Sequence, residues 1–436
     1  MNRIAGRARD YDWSYIFVVI VFMSFAIRDA FTGSARFFLS SMNVYFIWFV
    51  PDILAFSVMG MFVYQQFVVR KNAAGMFFFG ATLFSYMVSI YFYQQNFLTF
   101  VSGMKMFAPL YVGFCFYDRS VVEMRWVRIV LFILLVIVTV GVLVNPYYEY
   151  PWTGETVTAF GVEKAAVNVW WDGSGETRYG GITGDSTMAG FMICFTYMLI
   201  APYIMLLVNI ALWPIIIWAL VLTTSKTALG IFCIYGAMFL VSRLLGSRER
   251  VMLFLRRAAL LSFLCLLVPV VLMIALGGTD LGGYSVQLLS IADRINNTWQ
   301  LPFKYVAELF PLGLVLGCGI GCFAYPMDYT AMVKYSVPLD NFYLTTYINM
   351  GIPFLVYIAM QIRSVRYCLD PIKLSLMTIF NIYAITVQCY GPSFATLVAG
   401  YIFSDVFAGH AKAKEKRPIR VGSRHEGAPT SVPAVG

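Results

Sequence analysis

Long apolar runs separated by short polar breaks dominate this chain. A transmembrane helix needs about 20 mainly apolar residues. Runs of this kind, bounded by charged residues, glycine or proline, predict twelve membrane-spanning helices. They lie near residues 13–30, 44–66, 73–93, 97–117, 127–145, 186–208, 210–223, 227–243, 257–276, 341–361, 373–390 and 393–409. The seventh run is short, so the hairpin between the sixth and seventh is the least regular part of the pattern.

Two long connections interrupt the apolar runs, at about 146–185 and 277–340. Part of the second, residues 301–325, is apolar but broken by glycines, which favours an outer-surface or re-entrant segment over a full span. Residues 411–436 are basic and then rich in Pro, Gly and Ser, which predicts a disordered basic cytoplasmic tail. The pattern thus predicts one transmembrane domain over residues 1–410, followed by this tail.

Composition excludes the soluble classes. Of 436 residues, 60% are hydrophobic and 12% are charged, against about 25% charged in soluble domains; the mean hydropathy is +0.75. These values exclude an ordinary cytosolic enzyme, a disordered regulator and a disulfide-stapled secreted module. No Cys-x-x-Cys pair occurs, and Cys318 and Cys322 are predicted to be small packing residues rather than a disulfide or half of a metal site.

The basic residues predict the orientation. A net charge of +9 would suggest nucleic acid as the partner of a soluble protein, but in a membrane protein Lys and Arg mark the cytoplasmic loops. Placing the N-terminus inside puts most of the 31 Lys and Arg on the inner side. Both termini are therefore predicted to be cytoplasmic, with both long connections outside. Because long loops usually carry function, we expect an external active face. Since the basic residues are explained by membrane orientation, we expect no nucleic-acid partner.

The first outer connection ends in a pattern suited to an anion. Arg178, Gly180 and Gly181 precede Asp185 and Ser186 at the start of the sixth span. Glycines permit close backbone approach, a helix N-terminus offers unpaired N–H groups, and the arginine fork matches phosphate. Alternatively, the Arg178 side chain extends to the membrane interface. For Asp185, the preferred interpretation is that it caps the helix.

Three further outer segments carry candidate residues. Lys226 falls in the first turn of a helix, where the helix dipole disfavours a cation, so either an anion lies nearby or the side chain extends to the interface. Arg294 and Trp299 precede a short apolar helix. Asp340 and Asn341 stand at the entrance of the tenth span, where Asp340 is either an N-cap or a catalytic carboxylate.

Two other groups of ionisable residues lie outside these segments. Lys105 lies inside the fourth span and is a functional candidate by position, with pairing to Asp52 as the alternative. Asp10-Tyr11-Asp12 matches the D-x-D pattern of metal-using glycosyltransferases, but it lies on the side opposite to both connections and is discounted. We therefore predict no metal and no other cofactor.

These segments together resemble the O-antigen ligase/polymerase superfamily of bacterial envelope glycosyltransferases. In order, they are RYGGITGDSTMAG (178–190), TSKTALG (224–230), RINNTW (294–299), GCGIG (317–321) and DNFYLTTYINMG (340–351). They cover roughly residues 175–360, whereas the first five spans match by hydropathy alone. The resemblance implies an all-α, GT-C-like polytopic fold of about twelve helices with two long periplasmic loops. It also implies a bacterial inner-membrane location, with the active site facing the periplasm.

The resemblance further implies metal-independent, inverting glycosyl transfer from an undecaprenyl-diphosphate-linked oligosaccharide. Arg178, Lys226 and Arg294 take the positions that bind the diphosphate, and Asp340 takes the position of the base. The residues expected to support them are Asn341, Tyr343, Trp299, Lys105 and Asp185. Lipid-A-core ligases usually have His where this chain has Asp340, so the Asp favours a repeat-unit polymerase. Lys226 replaces a commoner Arg and loses its bidentate fork.

Two alternatives stay open. One is a ligase that transfers finished polysaccharide to lipid A core. The other is a lipid-linked oligosaccharide flippase or transporter, which predicts internal repeats and a polar central path; the sequence has no evident internal repeat. Besides the lipid bilayer, the implied partners are a chain-length regulator and a flippase of the same pathway.

Overall fold

The computed structural model describes residues 12–93, 97–159, 162–165, 177–279 and 289–408. Within them, seven helical segments are long and apolar enough to cross a membrane. They are Trp13–Ala30, Tyr45–Val69, Ala73–Phe92, Arg125–Val144, Ser186–Tyr203, Lys226–Leu245 and Arg248–Leu276. The chain is therefore a helical membrane protein, as the apolar runs predict, and the count of twelve spans stays a prediction. The tail at 411–436 lies outside the described residues.

The described residues form eighteen α-helices, some of which lie outside the predicted runs. The first nine are α1 Trp13–Ala30, α2 Thr32–Ser41, α3 Val50–Tyr64, α4 Ala73–Tyr93, α5 Phe97–Phe114, α6 Arg125–Val144, α7 Ser186–Ile200, α8 Leu206–Leu222 and α9 Lys226–Leu245. The next nine are α10 Arg248–Ser262, α11 Val268–Leu276, α12 Leu289–Asp293, α13 Leu301–Leu309, α14 Gly313–Leu316, α15 Phe342–Met350, α16 Ile352–Ser364, α17 Pro371–Tyr383 and α18 Ser393–Ile402. Asp12, the last residue of the discounted D-x-D pattern, is the N-cap of α1.

A small β-hairpin lies in the first long connection, where an all-α fold predicts none. Its strands are β1 Thr156–Ala159 and β2 Val162–Ala165, paired antiparallel with Thr156 opposite Ala165. Thr and Val are frequent in this segment, and such β-branched residues favour extended backbone. The hairpin is a short departure from a helical fold and leaves the membrane class unchanged.

The core is built around α7 and α18, which are buried along nearly their whole length. Helix α18 crosses α5 at very close range, at Gly113 and Gly400. A Cβ on Gly113 would lie 2.3 Å from the Leu397 carbonyl oxygen, and one on Gly400 would lie 2.1 Å from that of Leu110. Small residues let helix backbones approach in this way.

The tenth predicted span, 341–361, is two helices rather than one. Helix α15 ends at Met350 and α16 begins at Ile352, with Gly351 between them at φ +67°. A Cβ at Gly351 would lie 2.2 Å from the Val315 carbonyl oxygen. The backbone of the preceding segment therefore occupies the space that a regular helix with a side chain here would need.

Residues 317–324, within the apolar stretch 301–325, form an irregular segment buried against the helices. Gly321 donates its N–H to the Asn349 side-chain oxygen at 2.7 Å, and Cys318 donates to the Ile348 carbonyl at 2.7 Å. Here one prediction is wrong: Cys318 and Cys322 form a disulfide. The glycines between them allow the tight turn that brings the two Cα atoms to 6.1 Å, within reach of a disulfide.

Candidate functional site

A loop between α17 and α18, residues 384–392, contacts two of the segments that carry candidate residues; we call it the central loop. Phe342 donates its N–H to the Ala384 carbonyl at 3.1 Å, and the Asn341 amide donates to the Ile385 carbonyl at 2.8 Å. The Thr386 hydroxyl shares a 2.7 Å hydrogen bond with Thr227, at the start of α9. The entrance of α15 and the turn of Lys226 therefore dock on neighbouring residues of one loop.

Asn341, rather than Asp340, is the N-cap of α15. Its side-chain oxygen accepts the Leu344 N–H at 2.8 Å. The cap explanation for Asp340 is thus wrong, and its carboxylate is not used in holding the helix. The Asp340 backbone is fixed instead by the fully buried Trp299, whose indole N–H donates to the Asp340 carbonyl at 3.3 Å.

The Asp340 carboxylate faces Arg294. Their closest atoms, Oδ2 and Nε, are 3.9 Å apart, and the Asp340 side chain is 42% exposed. This distance is longer than a charge-assisted hydrogen bond of about 2.8 Å, so both groups retain capacity for another partner. Arg294 is oriented from behind by Ser290, whose hydroxyl accepts from Nη1 at 2.6 Å.

The pKa of Asp340 is raised above its ordinary value of 3.8. Burial is the main cause, because a partly desolvated carboxylate disfavours its charged form. Arg294 opposes this shift and the neighbouring Asp293 carboxylate adds to it. A raised carboxyl pKa brings this group closer to the range in which an acid or base exchanges protons at neutral pH.

Arg178 and Lys226 lie on adjoining segments. Tyr179 donates its N–H to the Leu222 carbonyl at 3.2 Å, which joins the chain at Arg178 to the turn before α9. In that turn Ser225 accepts the Ala228 N–H and is the N-cap of α9, and Lys226 follows it with an exposed side chain. Within the described part of the chain, neither cation has a salt bridge, and Arg178 Nε is buried without a hydrogen-bond partner.

Backbone strain occurs at the same turn. Thr224 has φ +51°, in the left-handed region that β-branched residues rarely adopt. Its hydroxyl is buried without a hydrogen-bond partner in the described structure. Strained residues persist where their surroundings fix them, and they are frequent at functional sites.

The remaining supporting residues divide into those near the central loop and those elsewhere. Asp185 is the N-cap of α7, accepting the Met188 N–H at 2.8 Å, as preferred above. Tyr343 is buried in the core, where its hydroxyl donates to Asn381, so it does not reach Asp340's exposed side. Lys105 forms an ion pair with Asp52 at 3.4 Å, which is the alternative that the sequence left open.

Two features were missed from the sequence. The central loop was included in the eleventh predicted span, 373–390, whereas α17 ends at Tyr383. The polar residues of TVQCYGP in an otherwise apolar run were the available signal. The second feature is a set of charged residues around Arg28, whose signal was the pair Arg28-Asp29 near the end of the first apolar run.

This second feature, the outer charge cluster, consists of Arg28, Asp29, Asp52 and Lys105. Arg28 Nη1 donates to both Asp52 oxygens at 3.0 Å each, and Nε donates to Asp29 at 3.2 Å. The second Asp29 oxygen accepts the Phe394 N–H at 2.7 Å, two residues beyond the central loop. Placing Asp29 there satisfies both the guanidinium and the N-terminus of α18.

No group of three or more His, Cys, Asp or Glu side chains arranged to hold a metal ion occurs in the described ranges. In the comparisons with known proteins, no family model matches the chain, and no curated protein or solved structure matches it either.

Proposed function

We propose that this protein is an inverting polysaccharide polymerase that joins repeat units carried on undecaprenyl diphosphate. The observation that carries the proposal is the Asp340 carboxylate, which does not cap its helix and lies 3.9 Å from Arg294. The turn of Lys226 docks on the same central loop, and the chain at Arg178 adjoins that turn. The structure therefore pairs Arg294 with the available carboxylate, and contacts between their segments support Lys226 and Arg178 as further cations of the proposed site.

In the proposed reaction, Asp340 accepts the proton of an acceptor hydroxyl on one lipid-linked repeat unit. The acceptor oxygen attacks the anomeric carbon of the donor sugar from the face opposite to its phosphate. The carbon–oxygen bond to the diphosphate breaks, and the electron pair leaves with the polyprenyl diphosphate. A single displacement of this kind inverts the configuration at the anomeric carbon.

Arg178, Lys226 and Arg294 would stabilise the leaving group. Its negative charge grows as the glycosidic bond breaks, and fixed cations lower the energy of that state more than that of the bound substrate. Arg178 Nε, which has no hydrogen-bond partner among the described residues, is a donor available for this purpose. Lys226 contributes a point charge at the start of α9, whose backbone N–H groups also suit an anion.

The proposal includes a bacterial inner-membrane location with about twelve spans and a periplasmic active face. The Cys318–Cys322 disulfide supports the outward orientation of the second long connection, because disulfides persist in oxidising compartments such as the periplasm. The proposed partners are the lipid-linked oligosaccharide, the bilayer, and the chain-length regulator and flippase of the same pathway.

The test is reconstitution of the purified full chain with a lipid-linked repeat unit, without added metal or nucleotide sugar. We expect a ladder of polymers in wild type and none in Asp340→Asn. A protein that makes no ladder but transfers preformed polysaccharide to lipid A core would be a ligase instead. Translocation of the lipid-linked unit without any new glycosidic bond would identify a flippase and overturn the proposal.

A further inference from the structure

An apolar groove lies between α3, α4 and α5. It has a volume of about 420 Å³, and its lining includes Phe56, Gly60 and Val63 of α3, Phe79 of α4, and Val101 and Met104 of α5. Gly60 is exposed, and a Cβ built there would meet no atom within 4 Å. The groove thus has the shape and surface of a site for part of a hydrocarbon chain.

The outer charge cluster borders this groove. Lys105 directly follows Met104 and is one helical turn from Val101, while Asp52 is one turn before Phe56. The Lys105–Asp52 ion pair therefore joins the two helices that supply most of the groove lining. An apolar groove bordered by charged groups matches a lipid that has both a long chain and a charged head group.

The cluster and its neighbour Arg36 carry more positive than negative charge. Arg28 already contacts both oxygens of Asp52 and balances its negative charge. Lys105 therefore shares this carboxylate with Arg28. Arg28 and Arg36 stack on the ring of Trp48, at 5.1 and 4.8 Å from its centroid. In the described structure, Arg36 has no salt bridge and its Nε is buried without a hydrogen-bond partner. This excess favours an anionic head group.

The same region adjoins the candidate site. Asp29 binds the Phe394 N–H just after the central loop, and the Phe107 ring of α5 stacks on Tyr390 of that loop at 4.9 Å. Gly33 of α2 packs closely on Gly184, the residue before Asp185. A Cβ on Gly33 would lie 3.0 Å from the Gly184 Cα. A lipid held here would therefore lie next to helices that contact the central loop.

We propose that the groove and the outer charge cluster bind a second polyprenyl-linked phosphate, the lipid carrier of the acceptor. Part of the polyprenyl chain lies in the groove, and Lys105 and Arg36 contact the phosphate. This inference rests on the proposed polymerase function, which requires two lipid-linked substrates at once. It assigns the donor phosphate to Arg178, Lys226 and Arg294. It assigns the acceptor phosphate to Lys105 and Arg36, which belong to the N-terminal part of the chain.

The experiment is photo-crosslinking of the full chain in nanodiscs with a polyprenyl monophosphate that carries a diazirine in its chain. We expect labelling of α3 and α5, its reduction to background in Gly60→Phe, which fills the groove, and full labelling in Gly80→Phe. Gly80 is the matched control because it is also exposed on a neighbouring helix and a Cβ there meets nothing within 4 Å. Lys105→Gln should reduce labelling roughly tenfold, as expected for loss of one charge-assisted hydrogen bond.

Equal labelling of Gly60→Phe and wild type would overturn the inference. So would equal labelling by the corresponding polyprenol without phosphate, or complete competition by phosphatidylglycerol, since either would identify the groove as a site for bulk lipid. The readout does not need turnover, so Asp340→Asn should keep the labelling. A chain that labels as expected but makes no polymer would refute the polymerase function and leave the lipid site standing.

Discussion

The hydroxyl groups of Thr227 and Thr386 lie 2.7 Å apart and share a hydrogen bond. Thr227 follows Lys226, and Thr386 follows the residue whose carbonyl accepts the Asn341 amide. The bond therefore connects the segment of a proposed diphosphate-binding cation to the segment of the proposed base. Its role would be to position the two segments rather than to take part in the reaction.

We expect Thr227→Val and Thr386→Val each to lower the polymerisation rate several-fold, with the double variant no worse than the slower single variant. A non-additive energy of about 1 kcal/mol would match one hydrogen bond. The measurement is a double-mutant cycle on initial rates with the lipid-linked repeat unit. Thr386→Ser keeps the hydroxyl and should restore the rate; strictly additive effects would contradict the positioning role.

Replacement of the proposed base should abolish most of the activity. Asp340→Asn preserves the size of the side chain but removes the proton acceptor, so we expect kcat to fall by roughly 10²–10⁴. Asp293→Asn is the matched control, because Asp293 is a nearby carboxylate that is engaged with Asn297 rather than with Arg294 in the structure. Full polymerisation by Asp340→Asn in the reconstituted assay would remove the base assignment.

The raised pKa of Asp340 predicts how activity depends on pH. A base must be ionised to accept a proton, so activity should fall on acidification already above pH 3.8, the ordinary value of an Asp pKa. Removing the Asp293 carboxylate lowers the pKa, so the acidic limb of Asp293→Asn should move to lower pH. Arg294→Gln removes a cation that lowers the Asp340 pKa, so the acidic limb of this variant should move to higher pH.

The same shift has the opposite sign for stability. Because the folded-state pKa of Asp340 is raised, protonation of this group favours the folded state. That contribution is present below pH 3.8 and is lost as the pH rises through the raised value. As the pH rises across this interval, the polymerisation rate should therefore increase, while the contribution of Asp340 to the thermal unfolding midpoint decreases. Both are measured on one preparation. An acidic limb of the rate profile that Asp293→Asn does not shift would contradict the assignment.

The disulfide predicts a countable difference in free thiols. The chain has eight cysteines, of which Cys318 and Cys322 are bonded and six are free: Cys115, Cys194, Cys233, Cys265, Cys368 and Cys389. Denatured protein isolated without reductant should react with six equivalents of a PEG-maleimide, and reduced protein with eight. The double variant Cys318→Ser/Cys322→Ser should give six under both conditions. Eight equivalents without reductant would show that the bond does not form and would remove its support for an external location.

A methyl group at the break between α15 and α16 should destabilise the protein. Gly351→Ala places a Cβ 2.2 Å from the Val315 carbonyl oxygen and forces φ +67° on alanine, so we expect a loss of about 1–3 kcal/mol. Gly80→Ala is the control, since a Cβ there meets no atom within 4 Å. Thermal unfolding in detergent compares the two, and equal midpoints would show that the segment around Val315 packs differently.

Several features of this protein follow from the sequence alone. Apolar runs predict the membrane class and the start of most helices, because each span satisfies its backbone hydrogen bonds internally and must match the thickness of the bilayer. The same local logic predicts Asp185 as an N-cap, since a cap bonds to N–H groups two or three residues away. It also identifies Arg178, Lys226, Arg294 and Asp340 as charged groups at the ends of predicted spans or in the connections between them.

Tertiary structure decides which of these groups meet. Thr227 and Thr386 are 159 residues apart in sequence, and hydropathy carries no information about partners at that distance. The choice of Asn341 as the cap, which leaves Asp340 available, depends on where the Ile385 carbonyl lies. The Cys318–Cys322 bond and the break at Gly351 likewise depend on the close approach of other backbone segments. Hydropathy and capping are local properties of a chain, whereas contacts between distant segments, such as Arg294 with Asp340, depend on how the helices pack.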